Sequence, residues 1–286
     1  MLSLQEPPHW EMFRDAMQSL GYREGKDVLL ESRSADGVAA ALDKLAADIV
    51  RSKAEVIVAY QTPAVQAAKK ATSSIPIVMA PAGDPVANAL VASLARPGGN
   101  VTGLSSNTSD VAGKMLQLIR EVKPDARRVA VLGNADDPFT KPFVAELQSA
   151  ARKLRITLGV SMVRTPGEYE ATFVEWEKLR VQALVVQPSL VRTRAIELAM
   201  KYRIPAVSPS TLFAEAGGLM SYSGSLKEVA QKAATFVERI LKGARPAELP
   251  VEQPTSFELA LNLKAARALD IEFPAEVMAR ADVLFQ

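Results

Sequence analysis

Short apolar runs alternate with amphipathic stretches along nearly the whole chain. Val28-Leu29-Leu30, Val56-Ile57-Val58-Ala59, Ile77-Val78-Met79 and Val101-Thr102-Gly103-Leu104 open the series. Val129-Ala130-Val131-Leu132, Ile156 to Val163 and Ala183-Leu184-Val185-Val186 continue it. Between them, Leu42, Leu45, Ala46, Ile49 and Val50 recur at helical spacing. Strands this short and this apolar are buried on both faces, the pattern of a parallel sheet crossed by helices. The fold class expected is α/β, with doubly wound parallel sheets.

The pattern repeats within the chain. Val56-Ile57-Val58, a helix and Ile75-Pro76-Ile77-Val78 are echoed by Leu184-Val185-Val186, a helix and Ile204-Pro205-Ala206-Val207. Gly98-Gly99 precedes the run Val101 to Ser105, as Gly217-Gly218 precedes Leu219-Met220-Ser221-Tyr222. Two similar lobes are therefore expected. The second opens with a full strand, Arg128 to Gly133, before a helix at Phe143 to Leu154. The first has only Met1-Leu2-Ser3-Leu4 before a helix at Trp10 to Leu20. That difference predicts a shortened opening strand in the first lobe, with residues missing upstream. After the repeat, Leu226, Val229, Ala230, Ala233, Phe236, Val237, Ile240 and Leu241 mark an amphipathic helix ending at Gly243. Pro246, Pro250 and Pro254 mark an extended stretch, and a helix at about 263–269 follows.

Composition removes several function classes. The 34 Lys and Arg balance the 32 Asp and Glu to a net charge of +2, which gives no case for a nucleic-acid surface. With no Cys there are no disulfides, thiolate metal sites or cysteine nucleophiles. The single His, His9, excludes multi-His metal sites and is expected at the surface or at a helix entry. No Walker A sequence, Gly-x-Ser-x-Gly elbow or Gly-x-Gly-x-x-Gly loop is present. Asp136-Asp137 reads as a cap and a solvated neighbour, because nothing supplies further metal ligands. No catalytic residue, cofactor or metal is expected. No apolar run approaches a membrane span, and the polar Gln5-Glu6-Pro7-Pro8 directly after Met1 to Leu4 does not read as a secretory leader.

Ligands of open parallel sheets sit outside the C-terminal ends of the strands. Those ends carry Tyr60, Gln61 and Thr62-Pro63; Gly83, Asp84-Pro85; Asn134 and Asp137-Pro138; and Gln187-Pro188-Ser189. Thr62, Asp84, Asp137 and Ser189 are expected to begin helices, each with Pro beside it, exposing backbone N–H groups to an anion. The same capping serves folding alone, so single caps do not separate the two roles. Asp84 is the candidate partner for a solute ammonium group, and the N–H groups around Thr62-Pro63-Ala64 for a carboxylate. Ser210 and Tyr222 complete the candidate set. Met79, Phe139, Phe213 and Tyr222 lie near strand ends, where one or two would line an apolar pocket.

These motifs resemble the solute-binding proteins of bacterial ABC importers, and most closely a branch whose members bind tryptophan and related amino acids. The resemblance rests on Phe13-Arg14 through Gly25-Lys26, on Ile75 to Val78 with Gly83 to Val86, and on Ser93 to Ser105. It continues through Glu215 to Tyr222 and the tail from Ile240 to Leu259, so it covers essentially the whole chain. It implies a type I periplasmic-binding-protein-like fold, with crossover hinge strands and a solute cleft that closes by hinge motion. The implied lobes are residues 1–106 plus about 224–245, and residues 107–223 plus about 246–286. The implied function is a non-enzymatic receptor for a small molecule, such as an amino acid or an aromatic or apolar carboxylate. The implied partner is a membrane permease, the implied location periplasmic or membrane-anchored, and the expected state a monomer. Gln61 stands where the family has Gly, and Pro188-Ser189 where Asp-Pro is frequent, which leaves the solute open. The alternatives are the ligand-sensing domain of a regulator, which shares this fold, and an α/β enzyme acting on small metabolites.

Overall fold

The computed structural model describes residues 1–4, 10–106 and 108–286. His9 lies outside them. In chain order the first elements are β1 (Leu2–Ser3), α1 (Trp10–Ser19), β2 (Arg33–Ser34), α2 (Leu42–Arg51), β3 (Ile57–Tyr60), α3 (Thr62–Ala71), β4 (Ile77–Gly83) and β5 (Val101–Ser106). Next come α4 (Thr108–Val122), β6 (Arg128–Asn134), α5 (Thr140–Leu154), β7 (Thr157–Val163), α6 (Tyr169–Lys178), β8 (Ala183–Val186), α7 (Arg192–Lys201), β9 (Ala206–Ser208) and α8 (Thr211–Glu215). The chain ends with β10 (Met220–Gly224), α9 (Leu226–Leu241), β11 (Phe257–Asn262), α10 (Leu263–Ala268), α11 (Ala275–Met278) and β12 (Val283–Phe285). These elements form two compact units, Met1–Asn107 with Gly224–Ser256, and Thr108–Ser223 with Phe257–Gln286.

In the first unit a five-stranded sheet runs in the order β2-β1-β3-β4-β5, with parallel registers throughout. Both faces are covered, which explains the unbroken apolar runs. On one face α2 and α3 bring Leu42, Ala46, Ile49, Ala64, Val65 and Ala68 onto Ile57, Ile77 and Met79. On the other, Phe13 and Met17 of α1 join Val229, Ala233, Phe236 and Val237 of α9 over Val58, Val78 and Leu104. β1 is two residues long and pairs Leu2 with Ala59 and Ser3 with Tyr60, the last residues of β3. A cavity of about 260 Å³ lies beside this pairing, with Trp10, Phe13, Leu30, Ile57, Val58 and Leu241 in its wall.

Two expectations change here. Val28-Leu29-Leu30 is not a strand: the ladder begins at Arg33, whose N–H donates to Met1 O, and Leu29 is 77% exposed. A lone apolar run without a buried partner for each side chain does not hold a sheet position. The stretch from 246 to 256 also belongs to the first unit, not the second. Val251 N–H donates to Leu94 O, Glu252 N–H to Gly103 O, and Thr102 Oγ1 to Leu249 O. The Glu228 carboxylate then takes the N–H and hydroxyl groups of Thr255 and Ser256. Burial raises its pKa, but the hydrogen bonds from Ser256 and Thr255 outweigh that and hold it well below the ordinary 4.5.

The second unit has a seven-stranded sheet in the order β12-β11-β10-β9-β8-β6-β7. β10, β9, β8, β6 and β7 are mutually parallel. β11 joins β10 through Asn262 N–H to Leu219 O. One face packs Met115, Leu116 and Ile119 of α4 and Phe143 and Leu147 of α5 against Val129, Val131, Val185 and Val207. The other packs Phe173 and Trp176 of α6 and Ala195 and Leu198 of α7 against Ala130, Leu132, Leu184 and Val186. β12 and α11 were not anticipated, since Ala275–Met278 and Val283–Phe285 are too short to show a period.

Gly103 fixes how closely β5 approaches β4. Its φ is +118°, and a Cβ would stand 2.5 Å from both the N and the O of Met79. Neither backbone atom can yield without breaking the ladder. Gly103→Ala is therefore expected to destabilise the first unit by roughly 3 kcal/mol or more, measured by chemical denaturation. A loss under about 1 kcal/mol would show that the two strands can separate at low cost.

Candidate functional site

Because β6, β8, β9 and β10 are parallel, their C-terminal ends share one edge of the second sheet, where ligands of such sheets sit. β6 ends in Asn134, and the loop 187–190 leaves β8 beside it. The Gln187 side chain ties these segments together. Its Oε1 accepts the Asn134 N–H at 2.6 Å, and its Nε2 donates to Asp137 Oδ2 at 2.8 Å. Thr140 Oγ1 lies 2.6 Å from both Gln187 Oε1 and Asn134 O, so its one proton serves either. Asn134 Nδ2 donates to Ser189 Oγ at 3.3 Å, and Asp137 Oδ1 accepts from Phe139 N–H at 3.0 Å. All five polar side chains are buried, with Asp137 4% exposed. Burial pushes the Asp137 carboxyl up from 3.8 to about 6, against the opposing hydrogen bonds from Ser189 and Phe139. Its neighbour Asp136 points outward and pairs with Arg164 at 3.3 Å.

Two other strand ends adjoin this cluster on the same edge. Ser210, after β9, holds the cap position before α8 without a capping bond from its side chain. Thr211 Oγ1 and Ser223 Oγ are 3.0 Å apart below it. Tyr222 of β10 is half-buried and stacks on Phe257, with ring centroids 5.7 Å apart and planes at 14°. Phe139 is half-buried as well, whereas Phe213 and Met79 are core residues.

The first unit carries its own set. Tyr60 ends β3 and is half-buried. Gln61 follows with φ +73° and donates its N–H to Pro81 O at 3.0 Å. Thr62 is buried, and its Oγ1 accepts the Gly83 N–H at 3.0 Å. Asp84 has φ +38°, and its Oδ1 accepts the Ala87 N–H at 3.1 Å.

The expected helix starts need correction. Gln61, not Thr62, holds the cap position of α3, and the Thr62 hydroxyl is taken across to β4. Asp84 closes a turn at 85–89 that does not continue as a helix. Asp137 caps the turn before α5, which starts at Thr140, and α7 starts at Arg192, beyond Ser189. At Asp84, Asp137 and Ser189 a Pro next to a polar residue fits a turn as well as a first helical residue, and the side chains of Thr62, Asp137 and Ser189 found partners across the sheet edge.

Asn134, Asp137 and Ser189 thus share one network with Thr140, which the sequence reading did not name, and Gln187, which it placed at the strand end without counting it among the candidate binding residues. Gln187 is the first polar residue after the apolar run of β8, the only signal the sequence offers for it. Among the described residues no three His, Cys, Asp or Glu side chains are grouped to hold a metal ion. Nor is any helix among them long and apolar enough to cross a membrane.

The family model for ABC transporter substrate binding proteins matches residues 9–284. A tyrosine-binding protein of Clostridioides difficile is 27% identical over 263 residues, covering 91% of this chain and 76% of that protein. A conserved domain protein from Vibrio cholerae superimposes with a TM-score of 0.91 at 26% identity, covering 99% of this chain and 97% of that one. An ABC domain from Streptococcus pneumonia in complex with L-Trp shares the fold, with a TM-score of 0.89 at 24% identity over 99% and 98% of the two chains.

The raised Asp137 carboxyl makes stability depend on pH. Below 3.8 both folded and unfolded chains hold this proton; between 3.8 and about 6 the folded chain holds it more tightly. Its stabilising contribution is therefore present at low pH and lost as pH rises through about 6. Asp137→Asn removes that dependence. Denaturation at a series of pH values should show the wild type losing ground to the variant as pH rises across this window. Parallel profiles would mean that Asp137 is solvated.

Proposed function

Because the chain belongs to the ABC transporter substrate-binding protein family, we propose that its solute is an amino acid or a compact aromatic or apolar carboxylate. The family comprises solute receptors, so a small molecule and an ABC permease are its partners. The chain delivers that solute to its permease outside the cytoplasmic membrane. The observation that carries the reading is the edge of the second sheet. A buried polar cluster of Asn134, Asp137, Gln187 and Ser189 lies on the same edge as the half-buried rings of Phe139 and Tyr222. Few polar groups fixed in place beside apolar surface are what a small amphipathic solute requires. Aromatic amino acids are favoured by the tyrosine-binding relative and by the L-Trp complex of the similar structure.

A solute that binds only the folded chain raises its stability by mass action. At a hundredfold excess over Kd this is about 2.7 kcal/mol, or roughly 5 °C in Tm for a chain of this size. A thermal-shift screen of amino acids, aromatic carboxylates, nucleosides and sugars is expected to give such shifts only in the first two groups. Shifts confined to nucleosides or sugars would contradict the assignment.

A further inference from the structure

We propose that Asp137 is the receptor for a primary ammonium group on the solute, so that the second unit selects amines over the matching plain carboxylates. This rests on the reading of the chain as a receptor for small amino acids or carboxylates, and names the half of the solute that the cluster recognises. The carboxylate is buried at 4% exposure and its neighbours are all neutral: the Gln187 amide, the Phe139 N–H and the Ser189 hydroxyl. Among the described residues no salt bridge includes it. The acidic residue beside it, Asp136, has Arg164 at the surface, so the cation that serves the loop leaves Asp137 aside.

The cluster also fixes which way the negative charge is offered. Gln187 cannot turn its amide over, because its oxygen already takes the Asn134 N–H. Its nitrogen is therefore held toward Asp137, and the carboxylate, anchored by Gln187, Phe139 N–H and the Ser189 hydroxyl, retains about one of the roughly four lone-pair sites on its two oxygens. Ser189 Oγ, which accepts from Asn134 Nδ2, stands by as a neutral acceptor. An ammonium group has three donors and one positive charge, which match a carboxylate with an adjacent hydroxyl. A second carboxylate placed there would meet a like charge in a site with little water to screen it. Asp84 of the first unit also accepts a local turn N–H, from Ala87, but it is half-buried where Asp137 is buried.

Isothermal titration tests this with four probes: L-tyrosine, L-tryptophan, and their des-amino counterparts hydroxyphenylpropionate and indolepropionate. The wild type should bind an amino acid at least about 30-fold more tightly than its des-amino partner, the low end of what a desolvated charge pair contributes. In Asp137→Asn that preference should fall below about threefold, through loss of amino-acid affinity alone. Equal binding of a pair by the wild type overturns the proposal, and so does a preference that survives in Asp137→Asn. The wild-type comparison decides the matter even if the variant fails to fold. If a des-amino acid binds and its amino acid does not, the ammonium assignment fails while the receptor reading stands. If none of the four binds and the solute is a sugar or nucleoside, the receptor's assigned solute class fails and takes this proposal with it.

Discussion

The orientation of one side-chain amide organises the candidate site. Gln187 leaves β8 with its oxygen committed to the backbone N–H of Asn134 and its nitrogen committed to Asp137. The first bond satisfies a buried donor at the end of β6, which would otherwise cost about 1–3 kcal/mol unmet. The second follows from the first, because an amide has its donor and its acceptor on opposite sides. Ser189, two residues on in the same loop, is then set against Asn134 Nδ2. Two segments that are distant in sequence, 134–137 and 187–189, are thereby locked around one buried carboxylate.

That lock presupposes the parallel sheet beneath it. Parallel strands joined by helices must deliver their C-terminal ends to one edge, and the chain leaves that edge through loops whose polar groups need partners. The two units meet this need differently. The first relies on backbone geometry, with Gln61 and Asp84 at positive φ and the Thr62 hydroxyl on the Gly83 amide. The second relies on side chains. Among the described residues of these two sets of strand ends, Asp137 of the second is the ionisable group in a buried, neutral setting, which is why the charge selection is assigned to that edge. A buried carboxyl pushed up to about 6 is held in a less stable form than a solvated one, an arrangement tolerated where a bound cation relieves it.

Much of this was legible in the sequence, for identifiable reasons. The buried strands showed as unbroken apolar runs because helices cover both faces of each sheet. α9 showed as Leu226 to Leu241 because a long helix packed on one side keeps a regular period. Asn134, Asp137 and Ser189 were recognisable as polar residues directly after such runs. Gln187 was visible in the same way, as the first polar residue after β8, but its role was not, because that lies in which atom faces which neighbour, and that is settled only when β6 and β8 are adjacent. The Val28-Leu29-Leu30 run misled because hydrophobicity alone does not state whether a partner exists. The supposed helix starts at Asp84 and Ser189 misled because a polar residue near Pro is equally at home in a turn, whereas α3 does begin at Thr62, with Gln61 in the cap position. The repeat and the family motifs, by contrast, reported scaffold: the resemblance they carried is matched by the family model, and it specifies a receptor without specifying its solute.

A crystal structure of the chain grown with L-tyrosine or L-tryptophan tests the central claim most directly. The account predicts the solute at the strand ends of the second unit, its nitrogen within about 3 Å of an Asp137 carboxylate oxygen, with Gln187 still bridging Asn134 and Asp137. A solute bound with its carboxylate toward Asp137, or bound away from that edge altogether, would contradict it.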